Sequence, residues 1–68
     1  MSELNIGLPS VRIIQSYIKE KKHIQIKLIT GEIIKGRIAW QDPECISMLN
    51  ENDQPILLWR QSIVYLQN

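Results

Sequence analysis

The chain has 68 residues, a formal net charge of +1 at pH 7, one cysteine and one histidine. This length allows one domain with one small core, and domains of this size often depend on a metal, disulfides or oligomerisation for stability. A single cysteine excludes an intrachain disulfide, and a distant His and Cys do not make a metal site, so we expect neither metal nor cofactor. The near-neutral charge excludes a strongly basic protein, so any nucleic-acid binding must come from local charge clusters multiplied by copy number.

The N-terminal third predicts a short arm followed by an amphipathic helix. Residues 1–7 are polar overall and predict a flexible arm without a signal peptide. Pro9 suits the first turn of a helix, and apolar residues recur at helical spacing as far as Glu20. The apolar face consists of Val11, Ile14, Tyr17 and Ile18. This face predicts a helix that lies across an open sheet.

From His23 onward the sequence changes to the alternation of β-strands. Ile24 and Ile26 alternate with polar residues, which predicts a half-buried strand. Turn residues then divide the chain into five predicted strands, at about residues 23–28, 33–41, 44–49, 56–59 and 63–66. Gly36 interrupts the second strand, where a glycine permits a bend that curls a sheet into a barrel. We therefore predict a mainly β protein, with an N-terminal helix and a strongly bent five-stranded antiparallel sheet that forms a small open barrel.

A polar break, Arg60-Gln61-Ser62, separates the last two predicted strands. Both strands are apolar at successive positions, so they need cover on both faces that a short chain cannot supply. The break is too short for an ordinary wide loop, so the two strands should part and leave unpaired edges. Head-to-tail pairing of such edges between copies can close a ring. The expected subunit interface consists of Ile56, Leu57, Leu58, Trp59, Ile63, Val64, Tyr65 and Leu66.

Two segments resemble a known family. Residues 28–38 match a Leu-x-x-Gly-x-x-x-x-Gly-x-Ile pattern, with Gly31 and Gly36 in place, and are similar to the bacterial Sm-like RNA chaperone Hfq. Asp42 and the closing segment 59–63 add to the likeness. The overall divergence of the chain from the family pattern is similar to that of the cyanobacterial branch. The resemblance covers nearly the whole chain. It implies one Sm-like domain over residues 8–68, a hexameric ring, and a cytoplasmic RNA chaperone in post-transcriptional regulation.

An enzyme is not expected. The single His23 lies in a charged stretch, and the carboxylates are scattered over loops and turns, so no acid/base pair is evident. The lone thiol of Cys45 fits a reducing cytoplasm, and its apolar surroundings predict a small buried side chain. Trp40 is expected to cap the barrel or to join the core.

The family binds RNA on three surfaces, of which the first is the pore on the helix-bearing face. The matching positions are Ser10, Pro43, Glu44, Trp59, Arg60 and Gln61. Where the family carries Tyr-Lys-His, this chain has Trp-Arg-Gln, which keeps a positive charge in Arg60 and loses the imidazole. Glu44 replaces an aromatic residue that stacks on a base. A carboxylate cannot stack and repels phosphate, so binding of uridines at the pore should be weak.

The other two surfaces are the opposite face and the rim. The resemblance assigns Lys27, Gly31, Ile33, Ile34 and Lys35 to the opposite face, which binds adenine-rich RNA in the family. Lys27 replaces the stacking Tyr of the first strand, and stacking contributes about 1–3 kcal/mol per base. Lysines there can hold phosphates without reading bases. The rim positions are Arg12, Gln15, Lys19, Lys21 and Lys22. Most of them keep the positive charge, but the lysine ammonium groups lack the planar, stacking guanidinium of arginine.

Two hypotheses of function follow from these substitutions. The first is an Hfq-like RNA-binding protein whose weak, largely electrostatic sites act together through multivalency. The alternative is a ring-shaped protein-interaction module that has largely lost RNA binding. A monomeric SH3-like adaptor is a further option, and the lysines near residue 20 also fit an ordinary solvated helix end.

Overall fold

A computed structural model describes Asn5 and residues 7–68. The expected flexible arm at residues 1–7 therefore lies largely outside the described residues. The chain forms one helix, α1 (Pro9–Glu20), and five strands, β1 (Ile24–Leu28), β2 (Ile33–Gln41), β3 (Cys45–Asn50), β4 (Pro55–Trp59) and β5 (Ile63–Gln67), with a 3-10 helix (Arg60–Ser62) between β4 and β5. These bounds confirm the predicted helix and five strands to within about one residue.

Helix α1 buries the face that its sequence predicted. Val11 and Ile14 are buried, and Tyr17 and Ile18 are half-buried against the core. The helix begins with Pro9 at its first turn and is capped after Glu20 by Lys21, which adopts the left-handed conformation with φ of 53°. The N–H of Lys21 donates to the carbonyl of Ile18 over 3.2 Å and so satisfies one of the last free carbonyls.

The five strands form one antiparallel sheet in the order β4-β3-β2-β1-β5. Strands β4 and β5 are consecutive in the chain but lie at opposite edges, which confirms the predicted parting at the polar break. Because only Arg60–Ser62 connects those two edges, the sheet must bend until its edges approach each other. The N–H of Ile29, just after β1, donates to the carbonyl of Ser62 over 2.8 Å and holds this connection in place. The sheet remains open.

The core lies on the concave side of the bent sheet, beneath the helix. Its buried members are all apolar: Ile14, Ile24, Ile26, Ile38, Ile46, Met48 and Leu58. Gly36 lies between Ile24 on β1 and Asn50 on β3, and a Cβ at that position would collide with the carbonyl oxygen of Leu49. The close approach of β3 therefore requires glycine here.

Trp40 does not join the core, so that part of the expectation was wrong. Ile38 pairs with Met48 while Trp40 pairs with Ser47, so Ala39 is the extra residue of a β-bulge. Without the bulge, residues 38 and 40 would share the inward face. The bulge instead turns the Trp40 side chain outward, where it is 49% exposed.

Candidate nucleic-acid interface

Asp42 shapes the turn between β2 and β3 that carries the pore-face residues. Its Oδ1 atom accepts hydrogen bonds from the N–H groups of Glu44, over 3.0 Å, and Cys45, over 2.6 Å. The N–H of Arg60 donates to the carbonyl of Glu44 over 2.9 Å, and Trp59 pairs with Cys45 across β3 and β4. The structure thus brings together most of the predicted pore-face residues, namely Pro43, Glu44, Trp59, Arg60 and Gln61.

The guanidinium of Arg60 is held by its own chain. Its Nε–H donates to the carbonyl of Asp42 over 2.8 Å, and an Nη2–H donates to the side-chain oxygen of Gln41. The Gln41 side-chain nitrogen in turn donates to the carbonyl of Val11 over 3.2 Å and to Gln15 Oε1 over 3.0 Å. This hydrogen-bond network joins the pore-face motif to the helix.

Gln41 was not among the residues that the sequence pointed to as a site. Ser10 is the predicted pore-face residue least connected to the others. The only local signal for Gln41 was a polar residue at the end of an apolar strand, and the bulge that orients it is not visible in the sequence. Ser10 precedes Val11, the helical residue that Gln41 contacts, so it lies at the same end of the barrel. Glu44 and Gln61 are exposed, and Arg60 is half-buried.

Cys45 is buried, as expected for a small apolar side chain in a strand. Burial raises the pKa of its thiol above the ordinary value of 9.0. The carboxylates of Asp42 and Glu44 add to the rise in pKa, while Arg60 opposes it. The thiol is therefore neutral at physiological pH, and the residue acts as packing.

On the convex side of the sheet, the opposite face carries two of the chain's lysines. Lys27 on β1 lies opposite Ile33 on β2, and Gln25 lies opposite Lys35. Directly opposite residues of an antiparallel pair point to the same side, and the residues between them, such as Ile26, are buried on the other side. Lys27, Ile33, Gln25 and Lys35 therefore share the face away from the core.

Two residues that the resemblance assigned to this face are placed differently. Ile34 pairs with Ile26 and packs against the core, because side chains alternate along a strand. Gly31 lies in the turn between β1 and β2, where its φ of 95° favours glycine and its N–H donates to the carbonyl of Leu28 over 2.9 Å. Neither position therefore presents a side chain to the opposite face in the way that Lys27 and Lys35 do.

The rim residues follow one side of helix α1 and its end. Arg12, Gln15, Ser16 and Lys19 line a shallow depression of about 350 Å³. Lys21 and Lys22 continue the positive charge beyond the last turn, and Lys22 Nζ lies 3.7 Å from Glu20 Oε1. Within residues 7–68, no other lysine has an ion-pair partner. The ammonium groups of the remaining four lysines are therefore available to contact a phosphate group of another molecule.

The predicted interface residues divide into two sets. Ile56, Leu58, Ile63 and Leu66 face inward and contribute to the core of their own chain. Leu57, Trp59, Val64 and Tyr65 are the exposed members. Each edge strand thus carries apolar side chains outside the core of its own subunit.

A helix followed by a bent, open five-stranded antiparallel sheet, with its last two strands at opposite edges, defines an Sm-like protein. Comparison with solved structures supports this assignment of the fold. The crystal structure of an Hfq protein from Anabaena sp. is 45% identical, with a TM-score of 0.81 over 88% of this chain and 95% of that chain. A crystal structure of the pleiotropic translational regulator Hfq shares the fold at 14% identity, with a TM-score of 0.82 over 87% of this chain and 97% of that chain.

A family model described as "Hfq related" matches residues 8–68. The chain therefore belongs to the Hfq-related family of Sm-like proteins, which confirms the resemblance seen in the sequence. Proteins of this family are RNA-binding chaperones and not enzymes. Comparison with curated protein sequences gave no match. In the part of the chain that the structure describes, no helix is long and apolar enough to cross a membrane.

Proposed function

We propose that this protein is a cytoplasmic RNA chaperone of the Hfq type that acts in post-transcriptional regulation through weak, largely electrostatic RNA sites. The observation that carries the proposal is the set of lysines without ion-pair partners among the described residues, Lys19, Lys21, Lys27 and Lys35. Two of them lie at the rim and two on the opposite face. An ammonium group without a carboxylate partner can neutralise a phosphate without first giving up an ion pair within its own chain.

A hexameric ring would multiply these contacts. The unpaired edges of β4 and β5 support assembly, because each edge exposes a row of backbone groups with which another copy can pair. Leu57, Trp59 and Val64 add exposed apolar side chains that such a copy can cover. A long RNA that contacts several subunits gains a high effective concentration at each further site. Sites that are weak alone then bind usefully together.

The pore face should contribute least to RNA binding. Glu44 presents an exposed carboxylate beside Gln61, and Arg60 already donates two hydrogen bonds within its chain. The remaining N–H groups of the Arg60 guanidinium are its only means of contacting phosphate. Repulsion from Glu44, repeated in every copy of a ring, opposes that contact.

The test is titration of labelled adenine-rich, uridine-rich and mixed RNA at two salt concentrations. We expect modest affinity that falls steeply with salt, by a slope of about 0.7 for each phosphate neutralised on a single strand. Substitution of Lys27 and Lys35 by Gln should reduce both affinity and slope. Salt-independent, nanomolar binding of a short adenine or uridine run would contradict the proposal.

A protein-interaction ring is the second candidate, and the exposed carboxylate of Glu44 on the pore face favours it. The same carboxylate that repels RNA would suit a cationic segment of a protein partner. Affinity capture from lysate with and without nuclease separates the two functions. Partners that survive nuclease, with no RNA recovered from the untreated sample, would favour the protein-interaction ring. A monomer in sedimentation at micromolar concentration would favour a single-chain adaptor instead.

A further inference from the structure

An exposed aromatic ring lies beside the position where this chain lacks the family's stacking tyrosine. Lys27 occupies that position on β1, but Tyr65 of the neighbouring strand β5 lies directly opposite Lys27. Opposite side chains of an antiparallel pair have Cβ atoms about 4.5–5.5 Å apart and point to the same face. Tyr65 is 39% exposed, while the next residue, Leu66, packs on the core. The ring of Tyr65 therefore lies on the opposite face.

We propose that Tyr65 is a base-stacking residue of the opposite face, so that β5 supplies the ring that β1 lacks. This inference rests on the proposed function, since it names the residue with which an RNA base would stack. It also changes the character of the site. A face with lysines alone would hold phosphates only, whereas a face with lysines and a ring also binds bases.

The register of three strands places suitable groups around Tyr65. One row across the sheet reads Ile33, Lys27 and Tyr65, and the adjacent row reads Lys35, Gln25 and Gln67. The two ammonium groups can contact the phosphates on either side of a stacked nucleotide. The two side-chain amides offer donors and acceptors to the edge of its base.

Single-stranded RNA fits this surface better than an apolar protein segment does. Lys27 and Lys35 have no carboxylate within ion-pair distance among the described residues, so both ammonium groups can contact phosphate without first breaking an ion pair. Pairing of β5 with an edge of another copy would use its backbone groups and leave face side chains such as Tyr65 accessible. A cation next to an aromatic ring is the combination that single-stranded nucleic-acid sites use.

The experiment compares ring-keeping and ring-deleting variants on matched probes. The probes are labelled oligoadenylate and an abasic ribose-phosphate oligomer of equal length, which has the phosphates without the bases. Tyr65→Leu should weaken oligoadenylate binding by about 5- to 150-fold, the equivalent of about 1–3 kcal/mol of stacking. Binding of the abasic oligomer should be unchanged. Tyr65→Phe should restore oligoadenylate affinity, because it keeps the ring.

A second measurement uses the unmodified protein and so does not depend on the folding of a variant. The chain has two tyrosines, and Tyr17 is half-buried against the core. With ring-labelled tyrosine, oligoadenylate should shift the Tyr65 ring resonances upfield and leave those of Tyr17 in place. The abasic oligomer should shift neither.

The outcomes separate this inference from the proposed function. If oligoadenylate and the abasic oligomer both fail to bind the unmodified protein, the proposed function itself fails. If oligoadenylate binds but the Tyr65 resonances do not respond, the stacking role alone is overturned. Equal loss of oligoadenylate binding in the Phe and Leu variants would also overturn it, since the ring would then make no contribution.

Discussion

The side-chain amide of Gln41 accepts a hydrogen bond from the guanidinium of Arg60 and donates to helix α1 through its nitrogen. A side-chain amide provides a strong acceptor and a strong donor on the same carbon at every physiological pH. The pore-face arginine is thereby tied to the helix that bears the rim residues. This relationship explains how a charged side chain is accommodated between two apolar strands.

Replacement of Gln41 by Met should release Arg60. The free energy of unfolding should fall by about 1–3 kcal/mol, because a hydrogen bond to a charged group and a helix contact are both lost. Arg60 should also react faster with an arginine-specific dicarbonyl reagent, as followed by peptide mapping. Gln61→Met is the matched control, since Gln61 is exposed and adjacent. Similar stability and reactivity in the two variants would contradict the network.

Substitution of Gly36 by Ala should be far more damaging than its small volume suggests. The added Cβ would collide with the backbone of β3 at Leu49, and overpacking of this kind costs about 3 kcal/mol at the upper end of its range. Gly31→Ala is the control. It meets no neighbouring atom and costs only the strain of its left-handed φ, about 1–2 kcal/mol. Denaturant unfolding measures the free energy of unfolding of both variants. An equal loss of stability in the two would show that β3 does not approach Gly36 closely.

The Cys45 thiol should make stability fall at alkaline pH. Its pKa is raised by burial, so the folded state keeps the proton more tightly than the unfolded chain does. The stabilising effect is complete below the ordinary value of 9.0 and is lost as pH rises from there through the raised, folded-state value. The difference in unfolding free energy between the unmodified protein and Cys45→Ala should therefore narrow as the pH rises above the ordinary thiol pKa of 9.0. A difference in unfolding free energy that stays constant with pH would show that the thiol does not contribute to the loss of stability at alkaline pH.

Leu57→Lys should weaken assembly without unfolding the subunit. Leu57 is 54% exposed on edge strand β4, so the substitution removes little packing from its own chain. An exposed substitution changes stability by about 0.5 kcal/mol or less, whereas a charge buried between copies would oppose association. Ile13→Lys on helix α1, at a residue 50% exposed, is the control away from both edges. Sedimentation velocity should show smaller species for Leu57→Lys only, and identical profiles for both variants would exclude β4 from the interface.

The sequence by itself determined the secondary structure and the parting of the last two strands. Spacing of apolar residues, Pro9 at the helix start and the turn residues are local signals, and they located each element to within about one residue. The short polar break at Arg60–Ser62 determined that β4 and β5 separate. The motif around Gly31 and Gly36 was specific enough to indicate the family.

Only the tertiary structure decided which side chains meet. The bulge at Ala39 turns Trp40 outward, and the register of β1 against β5 places Tyr65 beside Lys27. The partners of Arg60 likewise come from elements distant in the chain. The physical reason is that register and bulges depend on pairing between strands, and a shift of one residue moves every following side chain to the other face. Local periodicity predicts that a strand exists, but its neighbours decide what it presents to a ligand.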